Sequence, residues 1–165
     1  VCSSDLLKTH LASCRRPVHG LALWRDANRG ACGAMIFKAV TNGIEVSAEP
    51  AFSPERSAPD ENRYFWTYTI TLTNRGQAQA QLISRHWEII DETGTRQSVD
   101  GPGVVGEQPV LAPGAHFRYT SGVPLATPSG MMSGHYRMQA GDGSLFNIDI
   151  PAFSLDSPHA IRIVN

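Results

Sequence analysis

Tyr64-Phe-Trp-Thr-Tyr-Thr-Ile-Thr-Leu-Thr-Asn74 is the stretch that decides the fold. Tyr64, Trp66, Tyr68, Ile70 and Leu72 recur at every second position, with Phe65, Thr67, Thr69, Thr71 and Thr73 between them. A strand turns successive side chains to opposite faces, so one face here is apolar and the other is built of Phe and Thr. Aromatic and β-branched residues are those a pleated surface accommodates best. Asn74-Arg75-Gly76 ends the strand, and Gly76 is expected to supply a positive φ to the turn.

The same alternation appears on either side. Upstream, Ile44, Val46 and Ala48 alternate with Glu45, Ser47 and Glu49. Downstream, Gln81 to Asp91 is expected to carry Ile83, Arg85, Trp87 and Ile89 on one face. It then turns at Asp91-Glu-Thr-Gly94 into a short strand near Thr95 to Val99. Further strands are expected over His116–Ser121, Gly134–Ala140, Leu145–Pro151 and His159–Val164, with Gly141-Asp-Gly-Ser144 as a hairpin turn. No segment carries a sustained helical stripe. Seven or eight strands between Pro- and Gly-rich turns predict an all-β fold, a sandwich of two antiparallel sheets rather than a barrel.

Composition narrows the function classes. A chain of 165 residues accommodates one ordinary domain. Its formal charge of −1 lacks the basic excess that sequence-independent nucleic-acid binding requires. No apolar run approaches the roughly 20 residues of a membrane span, so neither nucleic acid nor membrane is expected as a partner. Cys2, Cys14 and Cys32 all precede Met35, as do five of the 14 basic and two of the 15 acidic residues. Nine basic and 13 acidic side chains remain, a formal charge of −4 on a cysteine-free body suited to a reducing cytoplasm.

Residues 1–34 read as a non-native leader and residues 35–165 as the domain. Val1-Cys-Ser-Ser-Asp-Leu6 resembles a translated sequencing adapter, and no strand or helix period follows it. His10, Cys14, His19 and Cys32 lack the short paired spacings of a zinc site.

Gly101-Pro-Gly-Val-Val-Gly106 matches the G-x-G-x-x-G pattern of dinucleotide-binding turns. That chemistry needs a helix to begin at the motif and aim its amides at a pyrophosphate. Here Glu107-Gln-Pro109 and Ala112-Pro-Gly114 follow, and Pro102 has no amide to offer. A loop crossing between sheets is the expected reading, with an anion nest as its competitor. Ser84 and His86 share one side of a strand and do not form a nucleophile–base pair. Arg85 and Trp87 share the other, Trp87 as core and Arg85 as a packed stem with a polar-bonded head. His86, His116, His135 and His159 show no paired spacing and no clustered carboxylate, so no metal ligand set is assigned. Gly101 to Pro109, Tyr119 to Gly130 and Pro151 to Pro158 read as long, nearly uncharged loops, where recognition tends to reside.

These segments also carry a family resemblance. Ser84-Arg-His-Trp87, Gly101-Pro-Gly-Val-Val-Gly-Glu-Gln-Pro109, Tyr119-Thr-Ser-Gly122, Thr127-Pro-Ser-Gly130 with Gly134-His-Tyr136, and Ile150-Pro-Ala-Phe-Ser-Leu155 resemble the ApaG family, also called CorD. The likeness runs from Met35 to Asn165. It implies an immunoglobulin- or fibronectin-type-III-like β-sandwich with no established catalytic residues and no cofactor. Bacterial members are associated with cobalt tolerance and magnesium efflux, and their genes lie near a diadenosine-polyphosphate hydrolase. Similar eukaryotic domains, in F-box and DNA-polymerase-interacting proteins, are taken to mediate protein–protein contacts.

The expected function is therefore a non-enzymatic binding module for a protein partner, as monomer or homodimer. Its candidate site is Gly101, Pro102, Gly103, Val104, Val105, Gly106 and Glu107, with Arg85, His86, Tyr119, Ser121 and Gly130. An alternative is a nucleotide or pyrophosphate sensor using the Gly103 to Gly106 amides and the charge of Arg85 or Arg118. A second alternative is a divalent-metal binder.

Overall fold

A computed structural model describes residues 35–160. Nine strands follow in order: β1 (Phe37–Thr41), β2 (Ile44–Phe52), β3 (Tyr64–Asn74), β4 (Ala80–Asp91), β5 (Arg96–Pro102), β6 (Val110–Leu111), β7 (His116–Leu125), β8 (Ser129–Ala140) and β9 (Leu145–Asp156). One sheet has the order β1-β2-β3-β7, the other β5-β4-β8-β9 with β6 also alongside β4. Every pairing is antiparallel. The architecture is the expected two-sheet sandwich of the immunoglobulin/fibronectin-type-III-like kind.

The alternation in β3 does what a two-residue period demands. Trp66, Ile70 and Leu72 are sealed between the sheets, while the Thr positions lie on the outer face. There the hydroxyls of Thr69 and Thr120 meet at 2.8 Å across the β3–β7 pair. From the second sheet come Leu82, Trp87, Tyr136, Met138, Ile148 and Phe153. Trp87 centres an aromatic cluster, edge-on to Tyr68 at 5.3 Å, Phe153 at 6.0 Å and Tyr136 at 6.4 Å, the arrangement that ring quadrupoles favour.

The strands extend further than local pattern suggests. β7 runs to Leu125, β8 starts at Ser129 and β9 reaches Asp156, so most of Tyr119 to Gly130 and most of Pro151 to Pro158 are strand rather than loop. Glycine and proline are tolerated there for tertiary reasons. The Phe65 ring occupies the space a Cβ on Gly122 would need, and Leu125 with the Ile90 carbonyl does the same at Gly130. Pro124 sits on an edge strand, where a missing amide need not break a ladder. The strand expected over His159–Val164 lies mostly outside the described residues; Ser157 to Ala160 form a turn.

Two other expectations are corrected. Register shifts between Leu82 and Ser84, so Ile83 is the extra residue of a bulge and does not share the buried face of Trp87 and Ile89. After β3, Gly76 does not take positive φ; the glycine beside it that does is Gly43, in the turn between β1 and β2. The turn is instead organised by the Asn74 side chain, 1% exposed. Its Oδ1 accepts from the Gly76 amide at 2.9 Å, and its Nδ2 donates to the carbonyls of Ala78 at 2.8 Å and Leu111 at 2.9 Å. Asn74→Ala would strand three backbone groups. A loss of ~3 kcal/mol is expected, read as a lower urea midpoint with an unchanged denaturant slope.

The two hairpin signals form as expected. Gly94 and Gly143 both have φ 86°. The Asp91 carboxylate accepts from the Thr93 hydroxyl at 2.6 Å and from the Thr93 and Thr95 amides at 2.9 Å, which holds its pKa below the usual range.

Candidate functional site

β5 and β6 both pair with the same side of β4, and residues 103–109 bridge the break between them. The break lies opposite the β4 bulge, and the two irregularities satisfy each other. The Ile83 carbonyl accepts from the Gly103 amide and from Gln108 Nε2, each at 2.8 Å. The Leu82 amide donates to the Pro109 carbonyl at 3.0 Å, and Gln81 Nε2 to that of Gln108 at 3.1 Å.

Within the bridge, Val104 and Glu107 exchange backbone hydrogen bonds of 2.8 and 2.9 Å. They close a two-residue hairpin whose central residues, Val105 and Gly106, have φ of 45° and 83°. Positive φ at both positions is the type I′ pattern, whose twist matches that of paired strands. Gly103 (φ 57°) is the one residue type that fits before it, because a Cβ there would lie 2.2 Å from the Glu107 carbonyl oxygen. Val104 is fully buried and anchors the hairpin, whereas Val105 is 57% exposed at its tip. A β-branched side chain in left-handed backbone is an outlier costing ~1–3 kcal/mol.

Arg85 secures the loop from inside. Its Nη1 donates to the carbonyls of Gly103 at 2.7 Å and Pro102 at 3.1 Å, as expected for a packed stem with a polar-bonded head. Gly101 is its direct partner on β5 and has no Cβ to crowd the guanidinium. Tyr136 pairs with Arg85 on the other side, its hydroxyl 2.5 Å from that of Tyr119. Burial raises the phenol pKa of Tyr68, Tyr119 and Tyr136, and the Arg85 charge opposes the shift in all three. Ser121, the cross-strand partner of Tyr68, also opposes the shift of that phenol.

The structure thus gathers Gly101 to Glu107 and Arg85 into one assembly, with Tyr119 and Ser121 on the core-facing side of β7. Gly130 lies apart, at the start of β8 opposite Asp91. Arg118 is on the outer face of the first sheet, 3.8 Å from Glu49, and is not joined to the loop. His86 points away from Arg85, onto the outer face of the second sheet.

There two of the histidines meet, although their spacing in the sequence pairs none. His86 Nδ1 is 2.7 Å from an Asp100 carboxylate oxygen, and its ring stacks on His135 with centroids 4.9 Å apart. His135 and Asp100 are 49 and 14 residues from His86 in the chain, so no local spacing announces the group. Strand register alone assembles it.

The loop is poorly equipped as a phosphate cradle. From Pro102 to Glu107, the amides of Gly103, Val104 and Glu107 are committed within the protein, Pro102 has none, and those of Val105 and Gly106 stand outside these bonds. Arg85 spends its guanidinium on carbonyls. Among the described residues, no three His, Cys, Asp or Glu side chains converge as metal ligands, and no helix is long and apolar enough to cross a membrane.

Fold and site together define a class: an antiparallel β-sandwich carrying a clamped glycine hairpin in a split edge strand. The ApaG domain matches residues 54–140, and the chain belongs to the ApaG family. It is 57% identical over 130 residues to Protein ApaG of Bradyrhizobium diazoefficiens, covering 79% of this chain and all of that relative. Protein ApaG of Azorhizobium caulinodans is 55% identical over the same length. Among solved structures, an ApaA protein from Bordetella pertussis superimposes with a TM-score of 0.69 at 46% identity, over 71% of this chain and 95% of that one.

Proposed function

We propose that the protein is a non-catalytic docking module whose Val105 hairpin inserts into an apolar pocket on a protein partner. The observation that carries this reading is Val105 itself. An exposed valine in left-handed backbone gains nothing for the fold and costs conformational energy. Asparagine followed by glycine would suit a type I′ turn better. A strained apolar tip on a tied loop is the form of a recognition element, because a loop fixed beforehand loses less entropy on binding. Val110, 51% exposed where the loop joins β6, adds apolar surface at its base.

The premise of strain is tested by Val105→Asn, expected to raise stability by ~1 kcal/mol in urea denaturation. Docking is tested by placing a photo-cross-linking residue at position 105 in cells, with the exposed Thr120 on the outer face of the first sheet as control. The expected result is a discrete adduct from position 105 and none from position 120. Equal adducts at both positions, or none at 105, would overturn the reading.

A further inference from the structure

The outer face of the second sheet carries a row of titratable side chains that the docking reading does not use. In register across β5, β4, β8 and β9 stand Asp100, His86, His135 and Asp149. The two histidines are direct cross-strand partners, a placement that brings Cβ atoms to about 5 Å. Their rings lie 28° from parallel. Asp100 then adds a constraint. A carboxylate only accepts, so the His86 Nδ1 that meets it carries a proton, and in the neutral ring that leaves Nε2 as the nitrogen with the lone pair. A carboxylate behind an imidazole is the arrangement that orients metal-ligating histidines and raises their basicity.

We propose that His86 and His135 form a two-nitrogen binding site for a borderline transition-metal ion such as Zn2+ or Cu2+, with Asp100 as the positioning residue. Imidazole pairs suit these ions, whereas Mg2+ requires oxygen ligands. Histidine χ2 is a broad torsion, so modest rotation turns both Nε2 atoms toward a shared ion without disturbing the strands. Water completes the coordination, since among the described residues no third protein ligand converges and the face is open to solvent. The site occupies the opposite face of β4 from Arg85 and stands independently of the docking reading.

The test is a titration of the full chain with Zn2+ alone, following the imidazole C–H signals of all six histidines by NMR. Saturable shifts of His86 and His135 together are expected. His86→Gln and His135→Gln should each weaken affinity at least tenfold, and Asp100→Asn by tenfold or more. All three positions lie on the solvent face, and a urea midpoint close to that of the parent chain verifies folding. Shifts confined to the other four histidines, movement of one ring without the other, or unchanged affinity in His135→Gln would overturn the proposal. The titration of the parent chain decides the matter even where a variant fails to fold.

Discussion

Arg85→Leu is expected to destabilise the domain by ~2–3 kcal/mol, chiefly by freeing the loop over residues 103–109. Leucine fills the stem's place against the core, so little apolar contact is lost. What is lost is the donor to the Gly103 and Pro102 carbonyls. The part-buried Gly103 carbonyl left without a partner costs ~1–3 kcal/mol, whereas the exposed Pro102 carbonyl turns to water. Arg85→Lys is the informative companion. It keeps the charge beside the three tyrosines but replaces the guanidinium, whose single Nη1 reaches both carbonyls, by an ammonium on a shorter stem, so its loss should fall between those of the parent and leucine chains. Urea denaturation of the three chains checks the order. Equal losses for lysine and leucine would show that the reach of the guanidinium Nη1, not charge, secures the loop.

The second large effect is local. Gly103→Ala places a Cβ where the Glu107 carbonyl oxygen now sits and demands positive φ from alanine. Neither strain relaxes while Val104 and Glu107 remain bonded, and ~3 kcal/mol of loop closure is expected to disappear. The measurement is amide hydrogen exchange. Val104, Glu107 and Leu82 should exchange at least 100-fold faster, while Ile70 in the centre of β3 changes far less. Uniform acceleration through β3 would mean that the loop and the sandwich unfold as one unit.

The two variants separate functions of the glycine motif that the pattern alone confounds. In a dinucleotide turn the glycines let backbone approach a ligand. Here Gly101 clears the guanidinium, Gly103 clears Glu107 and Gly106 supplies the second positive φ of a hairpin. All three serve the protein's own packing. The exception to that economy is Val105, the residue with no fold-level reason to be where it is.

The sandwich itself was legible in the sequence. The two-residue period of Tyr64 to Leu72, the β-branched spacing and the turn chemistry at Asp91-Gly94 and Gly141-Ser144 are local properties, and local physics settles them. Where local pattern misled, a distant group was responsible. Gly122 and Gly130 look like loop residues, yet lie in strands because Phe65 and Leu125 occupy the space beside them. Ile83 looks like a core position, but the broken neighbour strand opposite it accommodates a bulge.

The candidate sites divide in the same way. That Gly101 to Glu107 forms an unusual loop could be read from its glycines and prolines. That its amides are mostly committed, and that Arg85 closes on it from beneath, depends on β4, β5 and β6 meeting at one point. The His86–His135 pair depends entirely on tertiary structure, since 49 residues and a β-bulge separate its members. Sequence determined which residues alternate and where the chain can turn, because those follow from backbone sterics and burial of neighbours. Which side chains meet was decided by strand register, and register is set by the whole core at once, since slipping it by one residue would turn every buried side chain to solvent.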